Sequence, residues 1–124
     1  MTWTSLTELQ LAVMKALWTL GEGSVSDVLA TMAEDGKALA PTTVATLLQR
    51  LSKQGWVSTR KVGRHFVYRA QVERQEAASG ALARLVRTFF GGSASALTAQ
   101  LLESDELTAS ELEQMRRLLA KKEP

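Results

Sequence analysis

The amino-acid sequence predicts a mainly α-helical chain with one small β-hairpin, divided into a domain over residues 1–72 and a helical region over residues 73–124. Three observations carry this reading. Three amphipathic helical segments fill the first half, each bounded by a capping residue, a glycine or a proline. Two β-prone runs joined through Gly63 follow. Three further helical segments complete the chain, each too short to bury its apolar side alone.

The first helix starts at Thr7, which forms a capping box with Gln10, while Leu6 and Leu11 fit a hydrophobic staple. Leu9, Val13, Met14, Leu17, Trp18 and Leu20 form its core stripe, and Gly21 and Gly23 end it. The second helix spans residues 25–34, with Val25, Val28, Leu29 and Met32 on one side and Gly36 just beyond its end. The third begins at Pro41, where a missing N–H costs nothing, and runs to Gln54 before Gly55. Val44, Leu47, Leu48 and Leu51 form its buried side. The opposite side carries Thr42, Ala45, Thr46, Gln49 and Lys53, flanked by Thr43 and Arg50, and contains no acid.

The runs 57–61 and 65–69, joined through Val62, Gly63 and Arg64, predict the hairpin. Phe66 and Tyr68 share a strand face and are expected to pack on the helices, with Arg60, Lys61, Arg64 and His65 crowding the tip. Three helices followed by a basic hairpin make a winged helix-turn-helix. In the remaining third, Ala78, Leu82, Leu85, Val86 and Phe89 form a stripe, with Phe90 before the Gly91-Gly92 break. Ser93 caps a segment bearing Ala94, Leu97, Thr98 and Leu101. Thr108 and Glu111 form a capping box, with Leu107 and Leu112 as staple, ahead of Leu112, Met115, Leu118 and Leu119. Such faces imply a partner, and the simplest is a second copy, so this region is expected to dimerise the chain.

Composition narrows the function. No apolar run reaches the roughly 18 residues of a membrane span, so no membrane insertion is expected. The first ten residues lack a basic segment followed by an apolar one, so no secretory leader is expected there. The absence of cysteine excludes disulfides, thiolate metal sites and cysteine redox chemistry, and agrees with a cytoplasmic location. His65 is the sole histidine and sits on the basic hairpin, where phosphate or solvent is a better partner than a catalytic triad. Glu103, Asp105 and Glu106 are the only dense acids; they precede a helix, where they favour its dipole rather than a metal. No nucleotide-binding glycine motif occurs, and no enzyme, cofactor or metal site is expected.

Charge points to a polyanion. The 124 residues carry a net charge of +2, but the stretch 36–72 contains Lys37, Arg50, Lys53, Arg60, Lys61, Arg64 and Arg69 and no acid. In a helix-turn-helix the second helix of the motif enters the major groove. Thr42, Thr43 and Thr46 then sit nearest the groove, with Pro41 and Ala45 in the same DNA-binding face and Arg50 and Lys53 placed for phosphates. Thr46 and Gln49 suit a base or the backbone equally, and an internal salt bridge is the competing role for Arg50.

At this point the sequence resembles the BlaI/MecI/CopY penicillinase-repressor family over nearly its whole length. The resemblance rests on the order and spacing of several groups. Leu6-Thr7 precedes Val13-Met14 and Leu17-Trp18; Pro41-Thr42-Thr43-Val44 precedes Thr46-Leu47-Leu48, Arg50-Leu51 and Lys53-Gln54-Gly55. Gly63-Arg64 and Tyr68 follow, then Phe89-Phe90-Gly91-Gly92-Ser93, Ala96-Leu97, Leu107-Thr108, Glu111-Leu112 and Leu118-Leu119. It implies a homodimeric repressor on an inverted-repeat operator of double-stranded DNA, released through a membrane sensor peptidase pathway that leads to cleavage in the dimerisation region. The family's Asn-Phe cleavage dipeptide aligns with Gln100-Leu101, and a basic residue of some relatives aligns with Ala45. The C-terminal cysteine pair of the copper-responsive branch is absent. The leading expectation is thus a sequence-specific repressor dimer. An architectural DNA-binding protein with little sequence preference is the alternative, and a protein-interaction module, which the acid-free stretch argues against, is a third.

Overall fold

The computed structural model describes residues 6–123. The reading of the first residues as leaderless falls largely on residues 1–5, outside the described ones. The order is α1 (Glu8–Leu20), β1 (Glu22–Gly23), α2 (Val25–Glu34), α3 (Pro41–Lys53), β2 (Val57–Val62), β3 (His65–Ala70), α4 (Arg74–Phe89), α5 (Ala94–Glu103) and α6 (Ala109–Lys122). The chain divides inside α4 into two compact units, Met1–Ala81 and Leu82–Pro124. The fold is that of a winged helix-turn-helix followed by further helices.

In the first unit, α1, α2 and α3 enclose a core of Val13, Met14, Leu17, Val28, Met32, Val44, Leu48 and Leu51, closed by Trp56, Val57, Tyr68 and Val72. The Thr7–Gln10 capping box forms as expected. Leu9 and Leu20, assigned to the α1 stripe, are instead exposed, and Gln10 and Ala16 take buried positions. Both lie at the ends of α1, Leu9 second from its start and Leu20 at its last residue, away from the middle turns that the other helices cover. On α4 the packed residues are Ala77 and Gly80 rather than Ala78.

The strand β1 has no counterpart in the sequence reading, which took Gly21 and Gly23 only as a helix stop. It adds to the hairpin as an edge, giving the antiparallel order β1-β3-β2 with Glu22 opposite Arg69 and Gly23 opposite Tyr68. A second unanticipated capping box follows at once. The Ser24 backbone N–H donates to the Asp27 carboxylate at 3.0 Å, and the Asp27 N–H donates to the Ser24 hydroxyl at 3.2 Å. The Ser24 backbone bond, aided by its side chain, holds the Asp27 carboxyl below its ordinary value of 3.8. The cap's stabilisation is therefore complete above that value and is lost as pH falls through the lowered one.

Two devices set the hairpin on the helices. At the end of α3, Gly55 takes φ 84°, Gly55 N–H donates to Ser52 O and Trp56 N–H donates to Leu51 O at 2.9 Å. This Schellman closure turns the chain so that Trp56 enters the core and β2 begins one residue later. At the far end, Val62 pairs with His65 around a two-residue turn. Gly63 takes φ 61° there and Arg64 does not share the positive φ, the arrangement of a type II′ turn. Where the sheet meets α4, the Trp18 indole N–H donates to Val72 O at 2.9 Å, and the Arg74 guanidinium lies 5.6 Å above the Trp18 ring.

Gly55→Ala is expected to cost about 1–2 kcal/mol, because an L side chain is strained in the left-handed region. Thermal unfolding checks this: an unchanged Tm would remove the turn's conformational demand.

Candidate nucleic-acid interface

The packing of α3 decides which of its side chains are free. Val44, Leu48 and Leu51 are fully buried, and their spacing fixes the rotation of the helix about its axis. Pro41, Thr42, Thr43, Thr46, Gln49, Arg50 and Lys53 are consequently exposed together, with Ala45 half-buried beside them. Ala40, at the N-cap, gives no side-chain hydrogen bond. Pro41 carries no N–H, and the Thr43 and Val44 N–H groups already donate to Ala40 O, so what the helix start offers a phosphate is chiefly the positive end of its dipole. Thr46 donates its hydroxyl proton to Thr42 O at 2.9 Å. That bond occupies its donor and leaves the methyl group and the oxygen lone pairs for a partner.

Among the described residues Arg50 makes no ion pair, which removes the internal salt bridge that competed for it; Lys53, Lys61 and Arg64 make none either. Arg60 differs. Its guanidinium meets the Glu22 carboxylate at 2.7 Å, with both side chains well exposed. The sequence reading missed this partner because Glu22 lies 38 residues away on the unforeseen strand β1.

The strand pleat also separates cations that the sequence groups at one tip. Residues opposite one another or two apart share a face. Val57 and Ala70, Thr59 and Tyr68, and Lys61 and Phe66 are opposite pairs on the helix-side face, where the Ser52 and Thr59 hydroxyls lie 3.3 Å apart. Ser58 and Arg69, Arg60 and Val67, and Val62 and His65 occupy the outer face. Lys61 thus shares a face with the end of α3, Arg64 lies in the turn, and Arg60 and His65 are on the other side. With Glu22 and Glu73, Arg60 and Arg69 line an open polar depression.

Phe66 requires a correction. Expected to pack with Tyr68, it is 52% exposed, whereas Tyr68 is 6% exposed. The helices cover only the near half of the hairpin, and Phe66 lies one residue pair from the turn, beyond their reach.

In the second unit, none of the residues of α5 or α6 is buried. Phe89, Leu118, Leu119 and Leu82 are the most exposed of the expected apolar stripe, followed by Leu85, Leu101 and Leu112. Val86, Phe90, Leu97 and Met115 are half-buried. Gln100 and Leu101 lie inside α5, both exposed. Among the described residues no group of three or more His, Cys, Asp and Glu side chains is placed to hold a metal ion, and no helix is long and apolar enough to cross a membrane.

Comparison with known proteins agrees with this geometry. The penicillinase repressor of Bacillus licheniformis is 25% identical over 114 residues, covering 92% of this chain and 88% of that protein. The methicillin resistance regulatory protein MecI of Staphylococcus aureus strain N315 is 26% identical over 110 residues, covering 89% of each. The solution structure of the DNA-binding domain of the repressor BlaI superposes with a TM-score of 0.51 at 28% identity, covering 58% of this chain and 87% of that domain. The penicillinase repressor family profile matches residues 6–121, and the chain belongs to that family of DNA-binding repressors.

Proposed function

We propose that this chain is a homodimeric, sequence-specific transcriptional repressor that binds an inverted-repeat operator and acts in the cytoplasm. Each protomer lays α3 in the major groove of one half-site and the hairpin on the flanking backbone. The observation that carries this reading is α3 itself: three fully buried residues on one side, and on the other an exposed, acid-free face whose cations make no ion pair among the described residues. Thr42, Thr43, Thr46 and Gln49 meet base edges, while Arg50, Lys53, Lys61 and Arg64 meet phosphates; His65, on the outer face of the hairpin tip, is set away from them. Arg60, paired with Glu22, holds the edge strand to the hairpin and reaches DNA only by leaving that pair.

Residues 73–124 act as the dimerisation region. Leu82, Leu85, Val86, Phe89, Phe90, Leu97, Leu101, Leu112, Met115 and Leu119 supply apolar surface that a single copy leaves uncovered or half-covered. Release through a membrane sensor peptidase pathway would act at Gln100–Leu101, which departs from the family's Asn-Phe dipeptide. Because that bond lies inside α5, cleavage there needs the helix to open locally.

The reading is tested by fluorescence anisotropy with a duplex from upstream of the protein's own gene and a shuffled duplex of equal composition, across a salt series. Strong preference for the first, with two protomers per site, is the expected result; equal binding to both would identify an architectural protein instead. Within that assay, Arg50→Ala and Lys53→Ala should each weaken binding to both duplexes and lower the salt slope by about 1. An unchanged slope removes their phosphate role. Thr46→Ala should narrow the gap between the duplexes by about 1 kcal/mol, while Thr46→Val, which keeps a methyl group, should preserve it where thymine is read. Equal discrimination by all three proteins would mean that Thr46 reads no base. Phe89→Asp should shift the protein to monomer in sedimentation while leaving the fold of residues 1–81 intact; a persistent dimer would place the interface elsewhere.

A further inference from the structure

We propose that the Phe66 ring is itself a DNA contact, lying against the deoxyribose edge of the groove beside the half-site while Lys61 and Arg64 hold the neighbouring phosphates. The proposal rests on the DNA-binding reading above and adds an apolar component to it.

A phenyl ring left 52% exposed has no role in the core that Tyr68, two residues on, helps to close. Its location is specific. Phe66 is directly opposite Lys61, on the hairpin face that carries Thr59, whose hydroxyl meets Ser52 in the last turn of α3. The ring is therefore on the side that α3 occupies, two residues or about 7 Å beyond the last α3 contact. The major groove is about 12 Å wide. With α3 along that groove, the ring falls at its sugar–phosphate border rather than over the bases that α3 faces.

The surroundings select the partner. Lys61 is across the strand pair, Arg64 is in the turn, and no acid occurs from residue 36 to residue 72. A partner that meets an apolar ring and two cations together presents apolar surface between regularly spaced negative charges. The sugar faces and phosphates of a duplex do so, and apolar side chains are recurrent elements of protein contacts at the minor groove. The outer-face residues Val62 and His65 point the other way and take no part.

An uncharged contact has a signature distinct from that of a phosphate contact. Phe66→Ala should weaken binding to the upstream duplex about tenfold, with an unchanged salt slope and an unchanged Tm. Lys61→Ala should instead lower the slope. Hydroxyl-radical footprinting should show deoxyriboses flanking the half-site losing protection in Phe66→Ala alone. In Phe66→Trp, which keeps an exposed aromatic ring and reports even if the alanine variant folds poorly, the added indole emission should become shielded from acrylamide when the duplex binds. Wild-type affinity in Phe66→Ala, a salt slope that falls as in Lys61→Ala, or an unshielded indole in Phe66→Trp would each overturn the proposal, leaving the ring for a protein partner. Failure of the wild-type chain to bind either duplex at low salt would overturn the DNA-binding reading first.

Discussion

The burial of Val44, Leu48 and Leu51 is the contact on which the rest of the molecule depends. Each such side chain contributes about 1.5–3 kcal/mol when removed from water, against a net stability for a small domain of about 5–15 kcal/mol. The helix therefore cannot rotate about its axis without losing much of what keeps the unit folded. Its free face is consequently a rigid one, and side chains that read bases must be held in this way to discriminate among them. The hairpin inherits the same rigidity. The Schellman closure after α3 sends Trp56 into the core next to Leu51, and β2 starts from that anchor. Rotation of α3 and placement of the hairpin are thus one constraint, not two.

Electrostatics is layered on this frame with little internal compensation. A domain that kept its cations in internal pairs would hold them rigidly but spend their field within itself. Here the only acid that an ion pair brings to the basic segment, among the described residues, is Glu22, and it takes Arg60. As an exposed pair it contributes on the order of 0–1 kcal/mol, so its effect is positional: it ties the edge strand to β2 and turns one guanidinium away from the α3 side. The remaining cations keep their charge available to a polyanion, and the field they produce is directed by the faces on which the pleat places them.

How much of this was legible in the sequence depended on the range of the interaction. Caps, helix starts and the α3 face are local. Thr7 with Gln10, Pro41, Gly55, Ser93, and Thr108 with Glu111 announce themselves within a turn, and all occupy the expected positions. The strand β1 was not legible, because two residues carry no period, and its existence depends on pairing with β3 far along the chain. The Glu22–Arg60 pair was hidden for the same reason. The Phe66 error is of another kind. Alternation correctly put Phe66 and Tyr68 on one face, but alternation says nothing of where the supporting helices stop, so a face buried at Tyr68 was extended one pair too far. In the second unit the apolar periodicity was clear, while none of the residues of α5 or α6 is buried.

On the proposed dimer, that uncovered surface would let so small a protein be both tight and releasable. On that reading one α3 and one hairpin would make a few phosphate contacts and a few base contacts, a modest affinity on its own. On the proposed dimer, the second half-site is bound at an effective concentration set by the link between the two copies, which raises avidity by about 10²–10⁴ without any new DNA contact. The whole of that gain is vulnerable at the helices that join the copies. None of the residues of α5 or α6 is buried within one chain, so on the proposed dimer this unit would draw its stability from association. Damage to α5, by cleavage or by a charge placed in the apolar stripe, would convert one bivalent ligand into two monovalent ones and release DNA while leaving α3 and its core untouched. Separating the reading surface from the surface that controls occupancy lets each vary without the other.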